Sequence, residues 1–241
     1  MHLLVGLGNP GDDHRNNRHN IGFMAADAIA AKHGFGPFRQ KFQGLIAEGT
    51  LCGEKALILK PQTFMNRSGD AIAAAVKFYK LEASAVTVLY DEIDLAPGKV
   101  RVKVDGGNGG HNGLRSIDPQ IGTGYKRVRL GVGHPGSKDA VIHHVLNDFT
   151  KADAVWVKPL LEAVAENACL LTQGDDNGFM NKLAIAVRGD GAEREERPAT
   201  ADPSRPKAQS HIRAARRTEP QAKIPETGPM AAMLKKIFGK D

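Results

Sequence analysis

Two kinds of stabilising chemistry are scarce in this sequence. Cysteine occurs only twice in 241 residues, at Cys52 and Cys169, and the two positions are far apart in the chain. They form no Cys-X-X-Cys pair, so we expect neither a disulfide framework nor a cysteine-ligated zinc ion. The scarcity of cysteine also favours a reducing compartment.

Long apolar runs are missing as well. No apolar stretch approaches the ~20 residues that cross a bilayer. The first residues, MHLLVG, contain neither the basic nor the apolar region of a signal peptide. We therefore expect a cytoplasmic protein that has no membrane partner.

The composition is otherwise that of a globular protein. Hydrophobic residues make up 41% and charged residues 25% of the chain, which is close to ordinary usage. At ~100–200 residues per domain, the length suits one large domain with appendages. The chain has 33 Lys and Arg against 27 Asp and Glu, a formal charge of +6. This balance favours a polyanionic partner.

The sequence divides into three parts. Residues 1–188 alternate apolar runs with glycine-rich turns, and we expect this part to be the catalytic domain. Residues 189–229 are rich in proline and charge, which predicts a disordered linker. Residues 230–241 place apolar side chains at helical spacing, which predicts a short amphipathic segment.

Periodicity predicts strands that alternate with helices within residues 1–188, and this order indicates an α/β domain with a largely buried sheet. The predicted strands are His2–Leu7, Leu45–Leu51, Lys55–Lys60, Val86–Tyr90, Lys99–Val104 and Val128–Val132, and the predicted helices are Asn20–His33, Ser68–Tyr79 and Lys151–Gln173.

The N-terminal GLGNPG has the Gly-X-Gly-X-X-Gly spacing of dinucleotide-binding loops. Asp12 and Asp13 follow it, however, where a pyrophosphate would have to sit, and the next helix begins only near Asn20. We therefore interpret this segment as a tight loop that brings Asn9 to a site.

Polar side chains stand beside glycines at several predicted strand and helix ends, where sites of α/β sheets collect. One histidine, one aspartate and three asparagines among these segments together indicate acyl-transfer chemistry. Histidine supplies a base near neutral pH, the carboxylate fixes its tautomer, and amides bind developing charge. The Gly-X-Ser-X-Gly nucleophile motif is absent, so the predicted nucleophile is water.

Metal ligation is the weaker interpretation of these residues. His14 and His19 are five positions apart, which does not place them on one helix face. Asp91 and Asp94 have the right side chains for ligands, but Asp94 is better explained as a loop carboxylate. We expect no metal and no cofactor.

Several short segments occur in one order along the first 188 residues. They read VGLGNPG (5–11), RHNIG (18–22), KPQTFMNRSG (60–69), DEIDL (91–95), GGNGGHNGL (106–114) and RLGVGHPG (129–136). Together they closely resemble the bacterial peptidyl-tRNA hydrolase family. The resemblance implies a single domain with a mixed twisted β-sheet flanked by helices. It also implies hydrolysis of the ester that joins a stalled peptide to tRNA, which recycles the tRNA.

The resemblance assigns catalytic roles to particular positions. His19 matches the family's catalytic base, and Asp91 matches the acid that holds it. Asn9 matches the residue associated with recognising an N-blocked, peptidyl substrate. Asn66 or Asn112 is expected to donate to the oxyanion, and the sequence leaves open which.

The other matched positions imply contacts with tRNA. Phe64, like Asn66 and Asn112, matches a position that contacts the tRNA 3′ end and the peptide ester. Lys103 and Arg129 match a basic clamp for the tRNA 5′ phosphate, and Arg127 could serve as well as Arg129.

The chain departs from the family pattern near the catalytic histidine. His14 replaces a usual tyrosine, and Asn17 replaces a usual threonine. An imidazole can still stack and form hydrogen bonds, so we expect His14 to contribute to tRNA binding.

Two alternatives remain at this point. A non-enzymatic RNA-binding relative would keep the basic surface but is expected to lose the His19 and Asp91 pair, which is present here. A different small hydrolase on the same scaffold would have no reason for the basic strand at 101–103. We expect a monomer that has tRNA as its partner.

Overall fold

The structure is a computed structural model that describes residues 1–188. The predicted linker 189–229 and the predicted amphipathic segment 230–241 lie outside the described residues, so both remain predictions. In the described part of the chain, no helix is long and apolar enough to cross a membrane.

Strands and helices alternate along the described chain, as the sequence predicts. The strands are β1 His2–Gly6, β2 Arg39–Lys41, β3 Gly44–Leu51, β4 Glu54–Pro61, β5 Val86–Glu92, β6 Val100–Val104 and β7 Lys126–Gly131, and the α-helices are α1 Ile21–Lys32, α2 Ser68–Tyr79, α3 Asn112–Ile121, α4 Val141–Leu146, α5 Ala154–Gln173 and α6 Asp176–Arg188.

These strands form one mixed sheet in the order β2-β3-β4-β1-β5-β7-β6. The central strands β4, β1, β5 and β7 are parallel, while β2 with β3, β3 with β4 and β6 with β7 pair antiparallel. The mixed α/β sheet that the resemblance implies is thereby confirmed. The carboxyl ends of the parallel strands meet at one edge, where a site is expected.

Both faces of the sheet are covered, which is why its central strands are apolar on both sides. Leu4 and Leu89 face a core shared with α1, α5 and α6. Leu3 and Val88 face the opposite way, into a core shared with α2 and α3. Strands β1 and β5 are therefore held rigidly in the centre of the domain.

The predicted elements correspond closely to the observed ones. Helix α2 has the predicted bounds, and α1 differs from its predicted range by one residue at each end. The predicted hairpin is the pair β3 and β4. The sequence analysis missed β2, α3, α4 and α6. Helix α3 escaped because it begins in a glycine-rich stretch and contains Pro119, and both features argue against a helix.

The part of the cysteine prediction that expected no disulfide is wrong. Cys52 lies in the turn between β3 and β4, Cys169 lies in α5, and their sulfur atoms are bonded. Their Cα atoms are 5.7 Å apart, which is an ordinary disulfide separation. Separation along the chain was uninformative because the hairpin turn packs beside α5. The cysteines therefore give no support for a reducing compartment.

The start of α1 lies directly against the backbone of β1 and β5. The Phe23 amide donates to the Leu7 carbonyl at 3.1 Å. A Cβ atom on Gly22 would overlap the backbone of Leu7 and Leu89, so only glycine permits this approach. As a result, the 3-10 turn Arg18–Asn20, which precedes α1, lies beside β5.

Candidate active site

His19 and Asp91 form a buried hydrogen-bonded pair. His19 lies in the 3-10 turn before α1, and Asp91 lies near the carboxyl end of β5. His19 Nδ1 is 2.8 Å from Asp91 Oδ1 and 2.9 Å from Oδ2. The structure thus brings two of the predicted site residues into direct contact.

A second histidine contacts the same carboxylate. His111 Nε2 is 3.0 Å from Asp91 Oδ1, and the rings of His19 and His111 are 5.1 Å apart between centroids. His111 is also the N-cap of α3. The sequence analysis quoted the Gly-Gly-His-Asn segment but singled out only Asn112. Recognising α3 would have placed His111 directly before the start of a helix.

The hydrogen bonds fix which ring nitrogen of each histidine carries a proton. An ionised carboxylate only accepts hydrogen bonds, so His19 Nδ1 and His111 Nε2 are the protonated nitrogens. His111 Nδ1 accepts from the amides of Gly113 at 3.1 Å and Leu114 at 3.4 Å. Both nitrogens of His111 are therefore engaged, whereas His19 Nε2 is the nitrogen left for chemistry.

The surroundings of the pair shift the pKa of both His19 and Asp91. Burial alone would lower the pKa of His19, but the charge and hydrogen bond of Asp91 outweigh it, and the pKa lies above the ordinary 6.5. Burial would likewise raise the pKa of Asp91, yet His19 and His111 hold it well below its usual range. Asp91 is therefore ionised near neutral pH, and His19 is more basic than free imidazole.

The same three side chains have the donor set of a metal site. One ligand atom from each of His19, Asp91 and His111 lies within 4.8 Å of the others, and imidazole with carboxylate suits Zn²⁺. The two hydrogen bonds to Asp91 already account for this proximity. Of the four candidates weighed from sequence, His19 and Asp91 are members of the cluster, and His14 and Asp94 are not.

Asn9 is held in the loop after β1 by reciprocal bonds to Asn20. The Asn9 amide donates to Asn20 Oδ1 at 2.8 Å, and Asn20 Nδ2 donates to the Asn9 carbonyl at 2.9 Å. Asn9 Oδ1 accepts from the Met65 amide at 2.8 Å. Because this oxygen is committed, Asn9 Nδ2 is the group left for a ligand. The sequence analysis treated Asn20 as a helix start and missed this role.

The other predicted substrate residues lie at the solvent boundary. Phe64 is 65% exposed, and Asn66 and Asn112 are exposed. Asn66 follows Met65, which bonds Asn9, and Asn112 follows His111, which bonds Asp91. Asn66 and Asn112 are thus each adjacent in the chain to a residue of the buried site.

The two departures from the family pattern contact each other. His14 Nδ1 is 2.9 Å from Asn17 Oδ1, and Asn17 Nδ2 donates to Asp148 Oδ1 at 2.8 Å. Asn17 is buried and His14 is half-buried. The bond therefore orients the His14 ring.

One of the clamp candidates is unsuitable. Arg127 is only 2% exposed, and its guanidinium donates to Asp118 Oδ1 at 2.9 Å and to the Gly107 carbonyl at 2.7 Å. A buried, paired guanidinium is not available to a phosphate. The prediction that Arg127 serves as well as Arg129 is therefore wrong.

The other basic residues of this sheet edge are accessible. Lys103 is exposed, as is Arg101, which lies opposite Arg129 in the β6–β7 ladder. Arg129 is partly exposed, and its Nε donates to Glu92 Oε2 at 2.8 Å. Of the two residues of the predicted clamp, Arg129 is thus the one already paired with a carboxylate.

Comparison with known proteins finds relatives along the whole chain. A family model described as peptidyl-tRNA hydrolase matches residues 3–190. The peptidyl-tRNA hydrolase of Mesorhizobium japonicum is 62% identical over 239 residues, which covers 99% of each chain. That of Brucella ovis is 52% identical over 249 residues, covering 100% of this chain and 99% of the relative.

The fold is likewise similar to solved structures. The crystal structure of peptidyl-tRNA hydrolase from Acinetobacter baumannii matches with a TM-score of 0.72 at 38% sequence identity. The match covers 76% of this chain and 94% of that chain. On this evidence the chain belongs to the peptidyl-tRNA hydrolase family and is a hydrolase.

Proposed function

We propose that this chain hydrolyses the ester between the peptide and the 3′ end of peptidyl-tRNA, with His19 as the general base. Family membership supports the reaction. The observation that carries the role of His19 is its hydrogen bond to a buried, ionised Asp91, which leaves Nε2 as the basic nitrogen.

The reaction proceeds by addition and elimination. His19 Nε2 accepts a proton from water as the oxygen attacks the ester carbonyl, and Asp91 stabilises the imidazolium that forms. A tetrahedral oxyanion results, and an amide of Asn66 or Asn112 donates to it. The intermediate then expels the ribose oxygen of tRNA, which receives the proton from His19. These steps use no cofactor.

Asn9 gives selectivity for an N-blocked substrate. Since Asn9 Oδ1 accepts from the Met65 amide, only the Nδ2 donor faces a ligand. A peptide carbonyl accepts such a donor, whereas a free α-ammonium group offers only further donors. Aminoacyl-tRNA that has not begun a peptide is thereby disfavoured.

Contacts with tRNA come from the rim of the site. The exposed Phe64 ring offers a stacking surface for a base of the 3′ end, and the oriented His14 ring offers a second contact. Lys103 and Arg129 bind the 5′ phosphate without reading sequence, which suits an enzyme that accepts many tRNAs. We place the enzyme in the cytoplasm as a monomer, because its substrate is made there and one chain carries the whole set of residues.

A substrate comparison tests this function. The full chain is incubated with N-acetyl-aminoacyl-tRNA and with unblocked aminoacyl-tRNA, and release of the acyl group is measured for each. We expect rapid release from the blocked substrate alone, and release slowed by ~10²–10⁴-fold in His19→Ala. The matched control is His143→Ala, which removes an exposed histidine and should leave the rate unchanged. Binding of tRNA without release would instead indicate a non-enzymatic RNA-binding protein.

A further inference from the structure

Arg127 is an unusual residue for the inside of this domain. Its side chain is among the largest fully buried ones, and its Nε is buried without a partner among the described residues. Burying a charge with an unpaired nitrogen costs stability. An apolar side chain would fill the same space without that cost, so packing alone does not explain an arginine here.

The guanidinium connects three elements of the structure. Arg127 comes from β7 and bonds Asp118 of α3. Tyr125 donates its hydroxyl to the same Asp118 oxygen at 2.7 Å, and its ring lies 4.5 Å below the guanidinium. The remaining guanidinium bond reaches Gly107, in the segment between β6 and α3.

This segment, residues 105–111, is hereafter the glycine loop. It contains Gly106, Gly107, Gly109 and Gly110, so it has few side chains that could pack against the domain. Positive φ angles occur at Asp105 and at all of these glycines except Gly107. Asp105, at the start of the glycine loop, bonds Thr123, which precedes β7. Among the described residues, the other hydrogen bonds of residues 106–110 stay within the loop. The Arg127 bond to Gly107 thus fastens the middle of the glycine loop to the sheet.

The far end of the glycine loop carries His111, which bonds Asp91. We propose that Arg127, held by Asp118 and Tyr125, is a positioning residue that fixes the glycine loop so that His111 stays on Asp91. This inference rests on the proposed roles of His19 and Asp91.

Releasing the loop has a consequence at the catalytic pair. The ionisable groups acting on Asp91 are His19 on one side and His111 on the other. When His111 leaves, the Asp91 charge acts more fully on His19, and the pKa of His19 rises further. The acid limb of kcat/KM should then move to higher pH, an effect that loss of stability alone does not produce.

The test uses full-length Arg127→Met and a matched control, Lys126→Met. Lys126 is the adjacent residue of β7, and its partly buried amine bonds Asp176 at 2.6 Å and the Leu171 carbonyl at 2.8 Å, away from the glycine loop. Both variants lose an ion pair of the same strand, although that of Lys126 is less deeply buried. Only Arg127→Met should speed amide hydrogen exchange of residues 106–111, by about tenfold, and only it should shift the acid limb upward.

Exchange is measured without substrate, so it tests the positioning of the loop even if the proposed reaction were wrong. Should Arg127→Met fail to fold, two milder variants replace it. Arg127→Lys keeps a positive charge for Asp118 but lacks the forked guanidinium that also bonds Gly107. Tyr125→Phe removes only the hydroxyl that bonds Asp118. Faster exchange in Arg127→Lys, with a smaller change in Tyr125→Phe, is the expected result. Unchanged exchange in the folded variants, or equal exchange in Lys126→Met, would overturn the proposal.

Discussion

His19 and His111 approach the Asp91 carboxylate from two different regions of the molecule. His19 stands in a 3-10 turn that Gly22 holds tightly against β1 and β5. His111 stands at the end of a glycine-rich loop and caps α3. Each donates one N–H to Asp91, at 2.8 Å and 3.0 Å from the nearer oxygen.

The difference between them lies in the second ring nitrogen. That of His111 is occupied by the amides of Gly113 and Leu114, whereas that of His19 is left for water. In the proposed function, the same side chain on the same carboxylate is thus a base in one place and a brace in the other. Backbone context decides the role, because a helix N-terminus supplies donors that saturate an imidazole.

The largest effect should follow removal of the base. His19→Ala is expected to lower kcat by ~10²–10⁴-fold, the usual contribution of general base catalysis. Affinity for tRNA should hardly change, because a neutral imidazole adds little to the binding of a polyanion. The measurements are single-turnover hydrolysis and tRNA binding. Half of the normal activity in the variant would contradict the role of His19.

A smaller loss is expected when the carboxylate loses its charge. Asp91→Asn leaves His19 in the wrong tautomer or orientation, and kcat should fall by about 10²-fold with little change in KM. The pKa of His19 should also fall, because burial continues to lower it while the opposing charge is gone. The acid limb of kcat/KM should therefore move to lower pH. A limb that stays in place would show that it does not report His19.

Removing the brace should give the opposite shift. His111→Ala is expected to lower kcat by only about tenfold, while the acid limb moves to higher pH because Asp91 then acts on His19 alone. Tyr90→Phe serves as the control, since the Tyr90 ring packs edge-on against His111 at 4.9 Å between centroids. A loss as large as that of His19→Ala would make His111 an equal partner in catalysis.

The contrast between the two histidines also explains what sequence could predict. His19 lies in a recognisable polar segment before a helix whose apolar residues stand close to the helical period, and the family resemblance singled it out, so both the helix and the residue were found. His111 begins a helix masked by glycines and Pro119, so its capping role was invisible. Its meeting with Asp91 depends on tertiary packing of α3 against the sheet, which no local pattern encodes.

The residues of the predicted clamp show the same limit of prediction from local sequence. Alternation along β7 gives Arg127 and Arg129 the same face of the sheet, and nothing local separates them. Only the packing of α3, which brings Asp118 to Arg127, decides that one is buried. The pairing of Cys52 with Cys169 was missed for the same reason, since it depends on where a hairpin turn meets α5.

The smallest expected effect concerns binding beside the glycine loop, away from both histidines. Lys103→Ala should raise KM for full-length substrate severalfold. It should also lower the slope of log KM against log salt concentration by about one, the value for one lost phosphate contact. The value of kcat should stay nearly unchanged, since Lys103 is an exposed residue of β6 that the proposed reaction steps do not use. Arg129→Ala should do less, because Glu92 already neutralises that guanidinium. The control is a minimal substrate lacking the 5′ phosphate, on which both variants should match the parent enzyme. Equal losses of activity on both substrates would place these residues in the catalytic centre. Their assignment as tRNA contacts, separate from the base and the brace, would then be wrong.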